Sequence, residues 1–165
     1  MNKVAFLDRD GVINIERGKY IETVDEFELT EGIIEVLKFL KSEGYIFVVT
    51  TNQGGIARQL YTFEILADIH AKMQNLLAKE NIFFEDIFFC SHHPNYGLCF
   101  CRKPDSLMLE KGIAKYKADL QKSFMIGDTE RDEGAANKAG VPFYKIDANK
   151  INLLDFKIFY HNLIA

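Results

Sequence analysis

Three stretches of the chain place polar residues directly after short apolar runs. Val4 to Leu7 is followed by Asp8-Arg9-Asp10-Gly11, Ile46 to Val49 by Thr50-Thr51-Asn52-Gln53, and Phe124 to Ile126 by Gly127-Asp128, with Asp132 four residues on. A lone aspartate after a strand is commonly a turn or cap residue. Three such ends in one sheet can converge, and the carboxylates of Asp8, Asp10 and Asp128 would then repel one another unless a hard cation lay between them. An all-oxygen set of this kind suits Mg2+.

A second constellation is Cys90-Ser91-His92-His93-Pro94 followed by Cys99-Phe100-Cys101. Three thiolates and one imidazole make a Cys₃His set, which fits tetrahedral Zn2+ with no open position and therefore a bracing role. One cysteine alone would read as a small buried hydrophobe. Exposed unpaired thiols at this density invite oxidation, and a metal is the better account of them. The spacing alone leaves His92 and His93 as rival fourth ligands. All three cysteines of the chain lie in this cluster, unlike a disulfide framework spread through a secreted domain, so a reducing compartment is expected.

The elements that must position these residues alternate in type. Apolar runs at about 4–7, 45–50, 86–90, 123–126 and 141–146 read as strands. Helical patterns at about 31–42, 62–79, 106–116 and 130–139 separate them, with Thr62 as an N-cap and Gly44 and Gly140 as stops. Strands that are apolar on both faces, such as Phe47-Val48-Val49 and Phe124-Met125-Ile126, predict an α/β, doubly wound, mainly parallel sheet with helices on both sides. Ligands bind such sheets beyond the carboxyl ends of the strands, where the polar residues stand. The stretch 151–165 is expected to pack as a final helix through Leu154, Phe156, Phe159 and Leu163, or to contact a partner.

With 165 residues, 48% of them hydrophobic, the chain fits one domain, taken as 1–165. The net charge is -4 and no basic run reaches five residues, so nucleic acid and membrane surfaces are poor partners and a small soluble substrate is the better one. No apolar stretch reaches the length of a membrane span and no leader precedes Val4, so a cytoplasmic monomer is expected.

Taken together, Asp8-Arg9-Asp10-Gly11, Thr51, Lys103 and Gly127-Asp128 with Asp132 resemble, in order, the four motifs of the haloacid dehalogenase-like (HAD) phosphatase superfamily. The resemblance implies a Rossmann-like core and an aspartyl-phosphate mechanism: Asp8 as nucleophile and Asp10 as general acid and then base. Mg2+ would be held by Asp8, the backbone carbonyl of Asp10 and Asp128, with Lys103 and Thr51 on the phosphoryl group. The cysteine loop running into Cys101-Arg102-Lys103-Pro104 is similar to the zinc loop of the heptose bisphosphate and histidinol-phosphate phosphatases, which favours His92 over His93.

Within that group, Ile13-Asn14 and the segment Asn52-Gln53-Gly54-Gly55-Ile56-Ala57-Arg58 look like the heptose enzymes. They imply removal of the 7-phosphate of D-glycero-D-manno-heptose 1,7-bisphosphate, in carbohydrate metabolism leading to lipopolysaccharide. Asn52, Arg58 and Arg102 are then substrate-binding candidates, the arginines for a distal phosphate. Gln59 stands where these enzymes carry glycine, and Thr129 where they carry Lys or Arg, and both bear on substrate choice. Histidinol phosphate is the alternative substrate. A receiver-like signalling domain and a non-catalytic zinc-braced module are the alternatives from other classes.

The segments between Asp10 and the helix near Glu31, and between Thr51 and Lys103, are too short for a separate cap domain. The site is expected to be open, with recognition by the loops around Arg58 and from Cys90 to Lys103.

Overall fold

A computed structural model describes residues 1–164; Ala165, the end of the predicted tail, lies outside the described residues. The elements run β1 (Lys3–Leu7), α1 (Ile33–Ser42), β2 (Tyr45–Asn52), α2 (Phe63–Ala78), β3 (Asp86–Cys90), a 3₁₀ turn (Pro94–Tyr96), α3 (Leu107–Tyr116), β4 (Phe124–Gly127), α4 (Glu130–Ala139), β5 (Phe143–Lys145) and α5 (Leu153–Ile164). All pairings in the sheet are parallel, and the strand order is β3-β2-β1-β4-β5. Because β1 lies between β2 and β4, the carboxyl ends that carry Asp8, Thr51 and Asp128 are neighbours. The chain order of the motifs gives no hint of this adjacency; the crossover from β3 to β4 creates it.

Side chains of β1 alternate between two cores. Ala5 and Leu7 join Val36, Leu37, Ile69, Met73, Phe156 and Tyr160 on the face covered by α1, α2 and α5. Val4 and Phe6 join Leu109, Met125 and Ala135 under α3 and α4. The second layer packs closely: a Cβ at Gly112 of α3 would lie 2.6 Å from the Phe6 ring, so glycine is what lets α3 sit on the sheet. Thr62 caps α2 by accepting from Ile65 N, and Gly140, at φ 73°, ends α4, as the sequence predicts.

Two boundaries differ from expectation. The first helix begins at Ile33 rather than near Glu31, because Gly32 sits at φ 85° and starts the helix from a left-handed turn. The last strand is confined to Phe143–Lys145. The tail packs as a helix: Phe156 and Tyr160 are fully buried, and the Phe39 and Tyr160 rings meet edge to face at 5.2 Å. Each such ring contributes about 1.5–3 kcal/mol by burial. Leu154, expected on the packed face, is 73% exposed, since two residues of helix turn it about 200° from Phe156.

Residues 11–32 form a flap, not a domain. Thr30 N donates to Ile13 O and Ile15 N to Glu28 O, while Val12, Ile13, Ile21 and Phe27 bury their side chains in the main core. No described helix is long and apolar enough to cross a membrane.

Candidate active site

Lys103 organises the strand ends. Its side chain is buried, and its ammonium donates to Asp8 Oδ1 at 2.7 Å and to Thr50 O at 2.7 Å and lies 2.5 Å from Asp132 Oδ1. Burial would lower its pKa, but the charges of Asp8 and Asp132 outweigh it and raise it, so the ammonium is kept. Asp132 also caps a helix, since its Oδ2 accepts from Thr129 N and Oγ1 and completes a capping box at the start of α4. With both oxygens engaged, Asp132 holds Lys103. Lys103 and Thr129 together keep its carboxyl below the usual range despite burial.

Carboxylate oxygens of Asp8, Asp128 and Asp132 lie within 4.8 Å of one another. Burial, then the charge of Asp132, pushes Asp8 up to about 8 against the pull of Lys103, and the same two causes push Asp128 up to about 6. Three carboxylates facing one ammonium leave the site short of positive charge. Asp128 Oδ1 is also buried without a hydrogen-bond partner. An orphaned buried carboxylate oxygen in a negative, oxygen-lined hollow is what a divalent cation fits, so these residues suit Mg2+. Gly11 lets Asp128 approach: at φ 87° it takes the turn, and a Cβ there would stand 2.4 Å from Asp128 Oδ2.

The Asp10 carboxylate lines the same cleft but stands outside that cluster. It accepts from Arg9 Nη2 at 2.8 Å, Asn14 Nδ2 at 3.0 Å and Gln53 Nε2 at 2.9 Å. Burial alone would raise its pKa, but the Arg9 charge and these bonds prevail and hold it below the ordinary carboxylate range. Behind it, Arg9 is wholly buried and its Nη1 lies 3.3 Å from His70 Nε2 on α2. Tyr61 OH donates to Gln53 Oε1, and Gln53 Nε2 also donates to Thr51 Oγ1. Thr51 is buried at the end of β2 and lines the cleft.

Beyond β3 the cysteine loop closes on itself. Cys90 Sγ lies 3.1 Å from Cys101 Sγ, 3.7 Å from Cys99 Sγ and 3.5 Å from His92 Nδ1, and His92 Nδ1 lies 3.3 Å from Cys101 Sγ. Zn–S bonds of about 2.3 Å set ligand–ligand edges of about 3.8 Å in a tetrahedron. The four atoms therefore suit zinc, and no disulfide forms. His93 is turned elsewhere: it accepts from Asn95 N and packs on Tyr96. The loop leads into the cis Lys103–Pro104 peptide.

Asn52 lines the cleft and also accepts from Lys103 N and donates to Lys103 O, which latches it to that main chain and leaves one amide N–H and a carbonyl lone pair over. Arg102 Nη1 donates to His92 O at 3.0 Å, and the Arg58 guanidinium lies 5.8 Å from the centre of the Tyr20 ring. Both line a cleft of about 610 Å³ that also holds Asp8, Lys19, Tyr20 and Arg131. The flap thus adds a wall that the expectation of an open site omitted. Gln59, at φ 58°, occupies a left-handed position, which is why glycine suits that site and what its replacement costs the backbone.

Arg9, His70, Gln53, Tyr61 and Arg131 are the site residues the sequence reading passed over. Arg9 and Gln53 stand in the polar runs after the first two strands, and His70 is a polar residue on the otherwise apolar buried stripe Leu66, Ile69, Met73 and Leu77.

Comparison with known proteins bears on this geometry. The family model of the haloacid dehalogenase-like hydrolases matches residues 3–140. A D-glycero-beta-D-manno-heptose-1,7-bisphosphate 7-phosphatase of Helicobacter pylori (strain J99) is 42% identical over 141 residues, covering 85% of this chain and 80% of its own. A D-glycero-alpha-D-manno-heptose-1,7-bisphosphate 7-phosphatase of Photorhabdus laumondii is 39% identical over 150 residues, covering 85% and 79%. Among solved structures, the D,D-heptose 1,7-bisphosphate phosphatase of B. bronchiseptica, complexed with magnesium and phosphate, superposes with a TM-score of 0.81 at 35% identity, covering 87% of this chain and 79% of that one. The Asp8–Lys103 pair, the strand-end carboxylates and these likenesses lead to one assignment: the chain belongs to the haloacid dehalogenase-like hydrolase family.

Proposed function

We propose that residues 1–165 form a single-domain phosphatase that removes the 7-phosphate of D-glycero-D-manno-heptose 1,7-bisphosphate through a phospho-aspartate on Asp8. The observation that carries the chemistry is the buried Lys103 ammonium on Asp8 Oδ1, beside the orphaned oxygen of Asp128. The substrate rests on the relatives' names and the two-arginine cleft. With Oδ1 fixed by Lys103, Asp8 is oriented to attack phosphorus; a bond forms from its carboxylate to phosphorus and the bond from phosphorus to the sugar oxygen breaks. Because Arg9 holds the Asp10 carboxyl below the ordinary range despite its burial, Asp10 must first take up a proton as the anionic substrate binds; it passes that proton to the leaving oxygen and then takes one from the water that attacks the phospho-aspartate, releasing inorganic phosphate and restoring Asp8. Lys103 and the Thr51 hydroxyl hold the phosphoryl oxygens.

Mg2+, held by Asp8, Asp128 and the backbone carbonyl of Asp10, would neutralise charge on the transferring group. Cys90, His92, Cys99 and Cys101 would hold Zn2+, which would brace the loop that delivers Arg102 and Lys103. The enzyme is read as a cytoplasmic monomer acting on a small phosphorylated metabolite. A phosphate-release screen with Mg2+ over both anomers of the heptose bisphosphate, histidinol phosphate and p-nitrophenyl phosphate tests this reading. Preference for a heptose bisphosphate upholds it, preference for histidinol phosphate moves the substrate, and no turnover of any ester ends it.

A further inference from the structure

We infer that His70 is a positioning residue for the phosphatase reaction, acting from α2 through Arg9 to aim the Asp10 carboxylate. The inference rests on the phosphatase reading above. Arginine has no acceptor, so the contact between Arg9 Nη1 and His70 Nε2 at 3.3 Å is a hydrogen bond only if the guanidinium donates and Nε2 carries a lone pair. That fixes the imidazole as neutral, with its proton on Nδ1. Burial and the Arg9 charge pull His70 down to about 3, in keeping with a neutral ring.

On the other side of the guanidinium, Nε and Nη2 fork onto Asp10, with Nη2 within 2.8 Å of Oδ1 and 3.1 Å of Oδ2. A planar group held at three nitrogens has no rotational freedom left. Its orientation is therefore set jointly by Asp10 and His70. Asp10 is held as well by Asn14 Nδ2 and Gln53 Nε2, and His70 anchors the guanidinium from the opposite side. His70 sits within α2, which Thr62 caps, and its ring meets Phe89 of β3 edge-on at 6.1 Å. Removing the acceptor on Nη1 leaves a buried N–H without a partner, and the guanidinium must turn to find one. Asp10 is tied to it by three bonds and shifts with it against the hold of Asn14 and Gln53. Asp8, Lys103 and Asp132 share no hydrogen bond with His70 and keep their geometry.

Leaving-group chemistry separates this role from a merely structural one. An alkyl phosphate needs a proton delivered to its leaving oxygen, whereas nitrophenolate leaves without one. Since kcat/KM reports events through the first phosphoryl transfer, a misaimed Asp10 weakens it for the alkyl ester selectively. His70→Leu, with unchanged circular dichroism, should lose roughly tenfold or more in kcat/KM on the heptose bisphosphate and much less on p-nitrophenyl phosphate. His70→Gln, whose amide oxygen can accept from Arg9, should recover most of the loss. In the metal-free protein, ¹⁵N NMR of His70 should show a neutral ring protonated at Nδ1.

Equal losses on both esters, indistinguishable Leu and Gln variants, or a proton on Nε2 would each overturn the inference while leaving the phosphatase reading intact. A wild-type protein that turns over neither ester removes that reading, and this inference with it.

Discussion

Asn52 makes a pair of amide hydrogen bonds with the main chain of Lys103, accepting from Lys103 N and donating to Lys103 O at 3.0 Å each. The end of β2 is thereby latched to the end of the cysteine loop, and the Lys103 ammonium is presented to Asp8 from a main chain that cannot drift. Asn52→Ala removes both partners. We expect kcat to fall about tenfold with KM little changed, because the lost interaction acts on the transferring phosphoryl group. Two lost hydrogen bonds, about 1–2 kcal/mol net, should lower Tm by about 2–6 °C. Steady-state kinetics with a thermal melt checks both, and an unaltered kcat would mean that Lys103 needs no latch.

The two aspartates of the first motif should fail differently. Asp8→Asn replaces the nucleophile with an amide and should abolish turnover and the phospho-enzyme together. Asp10→Asn leaves its backbone carbonyl in place, so Mg2+ binding should persist. It also takes the counter-charge from the buried Arg9 guanidinium, at a cost of about 3 kcal/mol. Magnesium titration and denaturant unfolding of the two variants separate these outcomes; an Asp10→Asn protein as stable as the wild type would show that Arg9 does not depend on Asp10.

Gly11 is a conformational requirement of the metal hollow. Alanine there meets Asp128 Oδ2 at 2.4 Å and must hold φ 87°, so the Asp128 carboxylate has to move. Gly11→Ala should weaken Mg2+ binding at least tenfold and lower activity at limiting metal, with partial recovery when Mg2+ is raised. Unchanged metal dependence would argue against Asp128 as a ligand.

Much of this was legible because each strand ends in its own polar signature. Asp8, Thr51 and Asp128 follow apolar runs, and the parallel sheet brings such ends to one edge. The Cys-x-His and Cys-x-Cys spacing similarly marks four atoms that the fold gathers. What the sequence hides is the layer behind. Arg9 looks like an exposed charge between two aspartates, yet the turn at Gly11 drives it inward against α2, about sixty positions away at His70. Nothing local to Asn52 shows that it also latches the main chain of Lys103, about fifty positions away.

The zinc reading makes a linked demand on stability and catalysis. Protein purified without chelator should carry about one zinc per chain, and Cys99→Ser or Cys101→Ser should lower both zinc content and Tm. Because Cys101 stands two residues before Lys103, loss of zinc should also reduce kcat. Elemental analysis paired with kinetics decides this, and active, fully reduced protein without metal at the loop would remove zinc from the account.

The arginines of the cleft should distinguish a bisphosphate from a monophosphate. Arg102 is held by His92 O, and Arg58 rests over Tyr20 on the flap; both line the cleft that also holds Asp8 and Lys103. In the proposed reaction Lys103 and Thr51 hold the transferring phosphate, and neither arginine is assigned to it. Their charge is therefore available to a second anionic group, for which a planar bidentate donor is well suited. Arg58→Ala and Arg102→Ala should each weaken kcat/KM on the heptose bisphosphate by about tenfold, or about 1.4 kcal/mol, with a much smaller effect on p-nitrophenyl phosphate. Since Arg102 also braces the cysteine loop through His92 O, zinc content must be shown unchanged in that variant. Equal losses on both esters would mean that the arginines serve only the transferring phosphate or the fold, and would return histidinol phosphate to the front as substrate.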